Sequence, residues 1–432
     1  MNFNDVQNFL ANLVKRQTRI FFPKGVSDYT TVEELLEKLM SSSGEISAMV
    51  TAREILNRYK KLDNAEQLKF FQHLEQNFNA DVNVVRIAFR EYDQQPDSGT
   101  LRTLSDATEP RRQELLRRLN QTAGATHDLV AMREDLLKLL KQNDALSAVD
   151  NDFIHLFASW FARGFLILQT IDWSTSASIL ERIIRYESVH EIQDWNELRR
   201  RIEPDNRRCF AFFHPALIDE PLIFVEVALC HSIPESIAEI LKEEDPDSSE
   251  SDYDTAAFYS ISNCQPGLKN VSFGNFLIKQ VVQELQSEFP SIKKFVTLSP
   301  IPKLCRWLDD ETRSELDQLS LEIDLIKQLP NDIENAAAKP VELTKVTAEY
   351  LLNAKRGIHP IDPVARFHLG NGAQVHQIRI AADTSDKGLK QSRGVMVNYL
   401  YDLRYLERNH EQFMTAGKID CNPEILKLLQ KQ

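Results

Sequence analysis

The sequence predicts an α+β protein in two parts: an all-α bundle over residues 1–157, followed by an α/β domain over residues 158–432. Three observations carry this prediction. Glycine is scarce before residue 158, where only Gly25, Gly44, Gly99 and Gly124 occur, so helices there meet few breakers. The same stretch carries apolar stripes at helical spacing. Beyond it, short β-rich runs alternate with amphipathic segments, the pattern of a sheet covered by helices.

In the first part, Leu68, Phe71, Leu74 and Phe78 form one stripe, and Leu129, Met132, Leu136 and Leu140 another. Steps of three and four residues place such side chains on one helix face. Packing these faces together predicts a bundle, and any apolar face left exposed would serve self-association. In the second part, Phe210–Phe213, Leu222–Leu229, Ala256–Ser262, Phe295–Leu298, Val375–Ile380 and Val395–Tyr401 read as strands, the first two bounded by Pro215 and Pro221. Ser178–Tyr186 and Asn275–Phe289 read as helices between them. The acidic run Glu243–Glu250 reads as a solvated loop, not a metal site.

Composition narrows the function. The 432-residue chain carries a net charge of −13, so its field favours neither nucleic acid nor an anionic membrane, and an anionic ligand requires a local positive pocket. Cys209, Cys230, Cys264, Cys305 and Cys421 contain no CxxC pair and read as reduced thiols in a cytoplasmic protein, with neither a zinc site nor a disulfide framework. Residues 1–22 lack the apolar core of a signal peptide. The best membrane candidate, Phe157–Leu168, is short and interrupted by Arg163.

Three segments carry chemistry. In Thr297-Leu298-Ser299-Pro300-Ile301-Pro302, Ser299 ends an apolar run and is stiffened by the prolines that follow it, so it reads as a hydroxyl held at a strand end. Taken alone this is an ordinary Ser-Pro loop start. The stretch from Gln265 to Asn275 leads from a β-rich run through Gly267 and Gly274 into a long helix. Free backbone N–H groups and the positive end of the helix dipole suit such a junction to a pyrophosphate, with Lys269 and Lys279 adding charge. A plain β–α turn has the same form. His368 lies just before Gly370-Asn371-Gly372, in a predicted loop, and reads either as a proton-transfer group near neutral pH or as a structural histidine. His376 falls on a strand and faces solvent or a neighbour. There is no HExxH, no GxSxG elbow and no P-loop lysine motif.

Taken together, a long ordered series of strings resembles malonyl-CoA decarboxylases. The series comprises Ser159–Leu166, Tyr186–Ile192, Arg207–Phe210, Phe258–Ser262, Gly274–Lys279, Leu298–Pro302, Asp362–Leu369 and Asn398–Tyr401. The resemblance implies an N-terminal helical domain used in homo-oligomerisation, as a dimer or tetramer. It also implies a C-terminal domain of GNAT acetyltransferase-like fold, in which a central strand splays from its neighbour to admit CoA. Lys269, Asn270, Val271, Ser272, Phe273, Gly274 and Asn275 match the family's loop for the CoA pyrophosphate, Ser299 and His368 its catalytic serine and histidine, and Tyr401 a tyrosine near the active site. The chain departs from the family at Asn270, where a glycine is usual, and at Ser272, where an acidic residue is usual. It also departs at Lys303–Arg306, which replace a glycine-aromatic pair before Trp307.

The implied reaction converts malonyl-CoA to acetyl-CoA and CO₂ through a thioester enolate, with Ser299 and His368 as a hydrogen-bonded dyad. The thioester carbonyl accepts the electrons, so the expectation is no cofactor beyond the CoA that is part of the substrate. Which member of the dyad protonates carbon stays open at this level. A CoA-dependent acyltransferase and a non-catalytic CoA-binding scaffold are the alternatives.

Overall fold

The computed structural model describes residues 31–242, 253–271, 277–309 and 339–429. They form two compact units. A helical unit holds the described residues up to Leu166, together with His214–Ile218 and the segment that begins at Gln265. A sheet unit holds the described residues of Ile167–Phe213, Asp219–Cys264 and Gly274–Gln432.

The helical unit is built from Val32–Ser41, Glu45–Tyr59, Asn64–Asn77, Val82–Gln94, Ser98–Thr108, Arg111–Leu119, Ala125–Leu139 and Ser147–Trp160. Local chemistry starts several of them. Thr31 with Glu34 and Asp63 with Glu66 form capping boxes, and Asp81 and Asp97 accept from the first free N–H groups of their helices. Both apolar stripes enter the core, with Phe71, Leu74, Phe78, Leu129, Met132 and Leu136 buried. Ion pairs between Arg112 and Asp152 and between Arg133 and Asp150, each at 2.7 Å, tie helices together inside it. The hairpin of Val82–Gln94 and Ser98–Thr108 differs from the rest. It buries only Ala88, while Val82, Val84, Ile87, Phe89 and Leu101 are each half exposed or more.

The sheet unit carries β1 (Ile167–Ile171), β2 (Arg207–Phe213), β3 (Pro221–Cys230), β4 (Thr255–Asn263), β5 (Lys294–Thr297), β6 (Ser299–Pro300), β7 (Lys355–Arg356), β8 (His359–Pro360), β9 (Gln374–Arg379) and β10 (Met396–Leu400). The main sheet runs β1-β2-β3-β4-β5-β10-β6, and β9 also pairs with β10. β1 to β4 are antiparallel neighbours. β4 and β5 are parallel, paired from Thr255↔Lys294 to Phe258↔Thr297. β4 then continues to Asn263 along β3 while β5 ends, so the two central strands part beyond Phe258. That parting is the mark of the GNAT-like fold implied by the sequence. β10 pairs antiparallel with β5, β6 and β9, and its register with β9 shifts between Asn398 and Tyr399.

All six predicted strands are present, as β2, β3, β4, β5, β9 and β10. β1 is an addition; most of it is exposed, so it lacks the alternation that marks a half-buried strand. The predicted helices appear as Ala177–Tyr186 and Leu277–Glu288. The acidic run at 243–250 lies outside the described residues. Among the described residues no helix is long and apolar enough to cross a membrane.

Candidate active site

Ser299 sits where the chain leaves β5. Leu298 N–H donates to Phe258 O at 2.9 Å, the last rung between the central strands, and Ser299 then pairs with Val397 of β10. Pro300 has no N–H to extend the ladder, and β6 stops after two residues. The Ser299 hydroxyl is buried and donates to Thr297 Oγ1 at 2.8 Å.

The structure corrects the predicted setting of His368. It lies in the last turn of a helix, Pro363–Gly370, not in a loop. Asp362 caps that helix, its Oδ1 accepting from Val364 N and Ala365 N at 2.9 Å, and Pro363 supplies a first-turn residue that needs no N–H partner. Gly372 closes the turn at φ +86, and a Cβ there would meet Leu406 O at 2.1 Å. Glycine is therefore needed where the chain turns away from the helix that carries His368.

His368 Nε2 lies 2.9 Å from Ser299 Oγ, and Nδ1 lies 2.8 Å from the Tyr401 hydroxyl. Its ring stacks on Tyr399, with centroids 4.7 Å apart and planes at 24°. Tyr399 N–H donates to Thr297 Oγ1 at 3.2 Å. Behind these groups, the Asn398 amide donates to Thr297 O at 3.0 Å, and Arg379 Nε donates to Asn398 Oδ1 at 2.8 Å. The hydrogen bonds fit one consistent assignment. Thr297 Oγ1 takes the Ser299 hydrogen, so Ser299 Oγ accepts from His368 Nε2–H, and Nδ1 accepts from Tyr401 O–H.

Burial pulls the His368 pKa down to about 3 and pushes the Tyr401 and Tyr399 hydroxyls well up. The row Thr297–Ser299–His368–Tyr401 is therefore uncharged at neutral pH. Such a row can pass a proton along its hydrogen bonds without holding an ion. Ser299, His368 and Tyr401 are thus brought together. Thr297, Tyr399 and Asn398 received no role from sequence. The missed signal was strand periodicity: Thr297 stands two residues before Ser299 and Tyr399 two before Tyr401, hence on the same faces.

Residues 164–432 match the family model described as the malonyl-CoA decarboxylase C-terminal domain, and residues 78–161 match the model of its N-terminal domain. The chain belongs to the malonyl-CoA decarboxylase family. The mitochondrial malonyl-CoA decarboxylase of Anser anser anser is 34% identical over 359 residues, covering 74% of this chain and 70% of its own. Among solved structures, malonyl-CoA decarboxylase from Agrobacterium vitis is 46% identical with a TM-score of 0.85, covering 93% of this chain and 100% of its own. That from Rhodopseudomonas palustris is 44% identical with a TM-score of 0.83, covering 92% and 98%. The family makes this chain an enzyme, a decarboxylase acting on malonyl-CoA.

The loop expected from the sequence to hold CoA is described only as far as Val271. Ser272, Phe273, Gly274 and Asn275 lie outside the described residues. Lys269 follows the short 3₁₀ turn Pro266–Leu268, and Asn270 adopts φ +65. That left-handed conformation favours glycine, and asparagine tolerates it better than most other residues. Lys279 is not a free charge: it pairs with Glu407.

Proposed function

We propose that the enzyme converts malonyl-CoA to acetyl-CoA and CO₂ through a thioester enolate, with Ser299 and His368 managing the proton. The single observation that carries this reading is the uncharged, buried row from Thr297 to Tyr401. Cleaving the bond from carbon to carboxylate releases CO₂ and leaves its electron pair in the enolate. A donor near the enolate oxygen stabilises that charge, typically by about 2.7–4 kcal/mol. Ser299 turns its hydrogen from Thr297 to the substrate and protonates carbon. His368 refills Ser299 from Nε2 and receives the Tyr401 proton at Nδ1, so the imidazole never carries charge; a proton taken up from solvent refills Tyr401, and the row then reverses its hydrogen-bond sense to return the imidazole to the Nε2–H tautomer. The thioester is the electron sink, so the step needs no cofactor beyond the CoA of the substrate.

Lys269, Asn270 and Val271, continuing through Ser272, Phe273, Gly274 and Asn275, are assigned to the CoA diphosphate. The five cysteines are free, which suits a cytoplasmic enzyme. The test uses malonyl-CoA alone. Stoichiometric acetyl-CoA and CO₂, measured by mass analysis, are expected with no acceptor present. An acyltransferase would leave malonyl-CoA intact until an acceptor is added, and that result would overturn the reading.

Self-association is assigned to the exposed hairpin. A second copy of the chain covers Val84, Ile87, Phe89 and Leu101, apolar residues that a helical unit would otherwise leave in water. Ile87→Asp with Phe89→Asp is expected to weaken association on the order of 100-fold. Light scattering across a dilution series reads this as a lower mass, and an unchanged mass would exclude the hairpin as the interface.

A further inference from the structure

Arg133 is fully buried in the helical unit, on the helix Ala125–Leu139. Its Nε donates to Asp150 Oδ1 at 2.7 Å. Its Nη1 donates to two carbonyls of a single loop, Gly267 O at 2.7 Å and Lys269 O at 2.8 Å. Its Nη2 is buried without a partner among the described residues. Leaving a buried donor unmade is unfavourable, and an aliphatic side chain would fill the same space without that penalty. The guanidinium is therefore best explained by what its fork holds.

The fork sets a peptide plane. In a trans peptide C=O and N–H point to opposite sides. With Lys269 C=O turned to Arg133, the Asn270 N–H points away from it, and that N–H has no partner among the described residues. The φ of +65 at Asn270 belongs to the same arrangement. Gly267 lets the loop lie against the helix, since a Cβ there would meet Val130 O at 2.0 Å.

We propose that Arg133 is a positioning residue for the diphosphate of the substrate: it locks the 269–270 peptide so that the Asn270 N–H is presented to a phosphate oxygen. This rests on the assignment of the loop to CoA. The role belongs to binding the nucleotide end of the substrate and leaves the chemical step alone.

The experiment compares two substrates, malonyl-CoA and malonyl-pantetheine, which lacks the diphosphate. The variant Arg133→Met is combined with Asp150→Asn so that no carboxylate is left unpaired. Gly267→Ala serves as a second route, displacing the loop while keeping the ion pair. For either variant, kcat/KM on malonyl-CoA is expected to fall about 10- to 100-fold, carried by KM with kcat nearly unchanged. On malonyl-pantetheine, kcat/KM should stay within about twofold of the wild type. Equal losses on both substrates would show a merely structural residue, and no loss on malonyl-CoA would show no role; either overturns the proposal. The wild type provides the separate check on the loop. If it handles both substrates with equal kcat/KM, the diphosphate assignment itself fails, whatever the variants do, and the role of Arg133 falls with it.

Discussion

Ser299→Ala is expected to lower kcat on malonyl-CoA by about 10²- to 10⁴-fold, the usual worth of a positioned proton donor, while CoA still binds. His368→Asn should cost a similar factor. An asparagine cannot bridge Ser299 Oγ and the Tyr401 hydroxyl as the two ring nitrogens do at 2.9 and 2.8 Å. In the proposed mechanism the two residues act on one proton, so the double variant should be little slower than either single one. CO₂ release at saturating substrate measures the first effect and calorimetry of CoA binding the second. Turnover within about threefold of the wild type would remove that residue from the mechanism. Multiplying rather than overlapping losses would break the dyad into independent groups.

The second large effect is on stability against pH. His368 has a folded pKa of about 3, depressed by burial, against about 6.5 for an exposed imidazole. Above pH 6.5 both states are neutral and the full contribution of the buried ring is present. As pH falls from 6.5 towards 3, the unfolded chain takes up a proton that the folded chain refuses, and stability is lost at about 1.4 kcal/mol per unit. The whole window is worth on the order of 4–5 kcal/mol. His368→Asn removes this dependence. Between pH 7 and pH 4.5 the stability difference between wild type and variant should move by about 2–3 kcal/mol in favour of the variant, read from urea midpoints. A difference that does not change with pH would mean that the ring is solvated. The same depression predicts that kcat shows no inflection near pH 6.5 from this residue.

Much of this architecture is legible in the amino-acid sequence. The stripes ending at Phe78 and Leu140 and the proline-bounded strands follow from periodicity, which burial enforces locally. Ser299 was legible because two prolines constrain it. Gly370 and Gly372 point to a loop at His368, whereas Asp362-Pro363 is a helix start that outweighs them. Arg133 was beyond reach: its carbonyl partners lie 134 and 136 residues away. The same holds for the helical unit's claim on the Gln265 loop, which depends on a backbone contact of Gly267 with Val130. Close approach of distant segments leaves no periodic trace.

The bulge opposite β10 bears on how this candidate site is inherited. Asn398 pairs with Gln377 and Tyr399 with Val375, so His376 is a supernumerary residue on β9. Strand side chains alternate, and a one-residue slip of β10 would bring Asn398 and Leu400 to the imidazole in place of Tyr399 and Tyr401. The extra residue makes such a slip hard, since every rung beyond it would have to shift as well. The identity of the candidate site is written partly as a count. A residue gained or lost between Arg379 and Met396 is harmless only while the connecting loop absorbs it. The same change inside the strands would keep the composition and lose the frame.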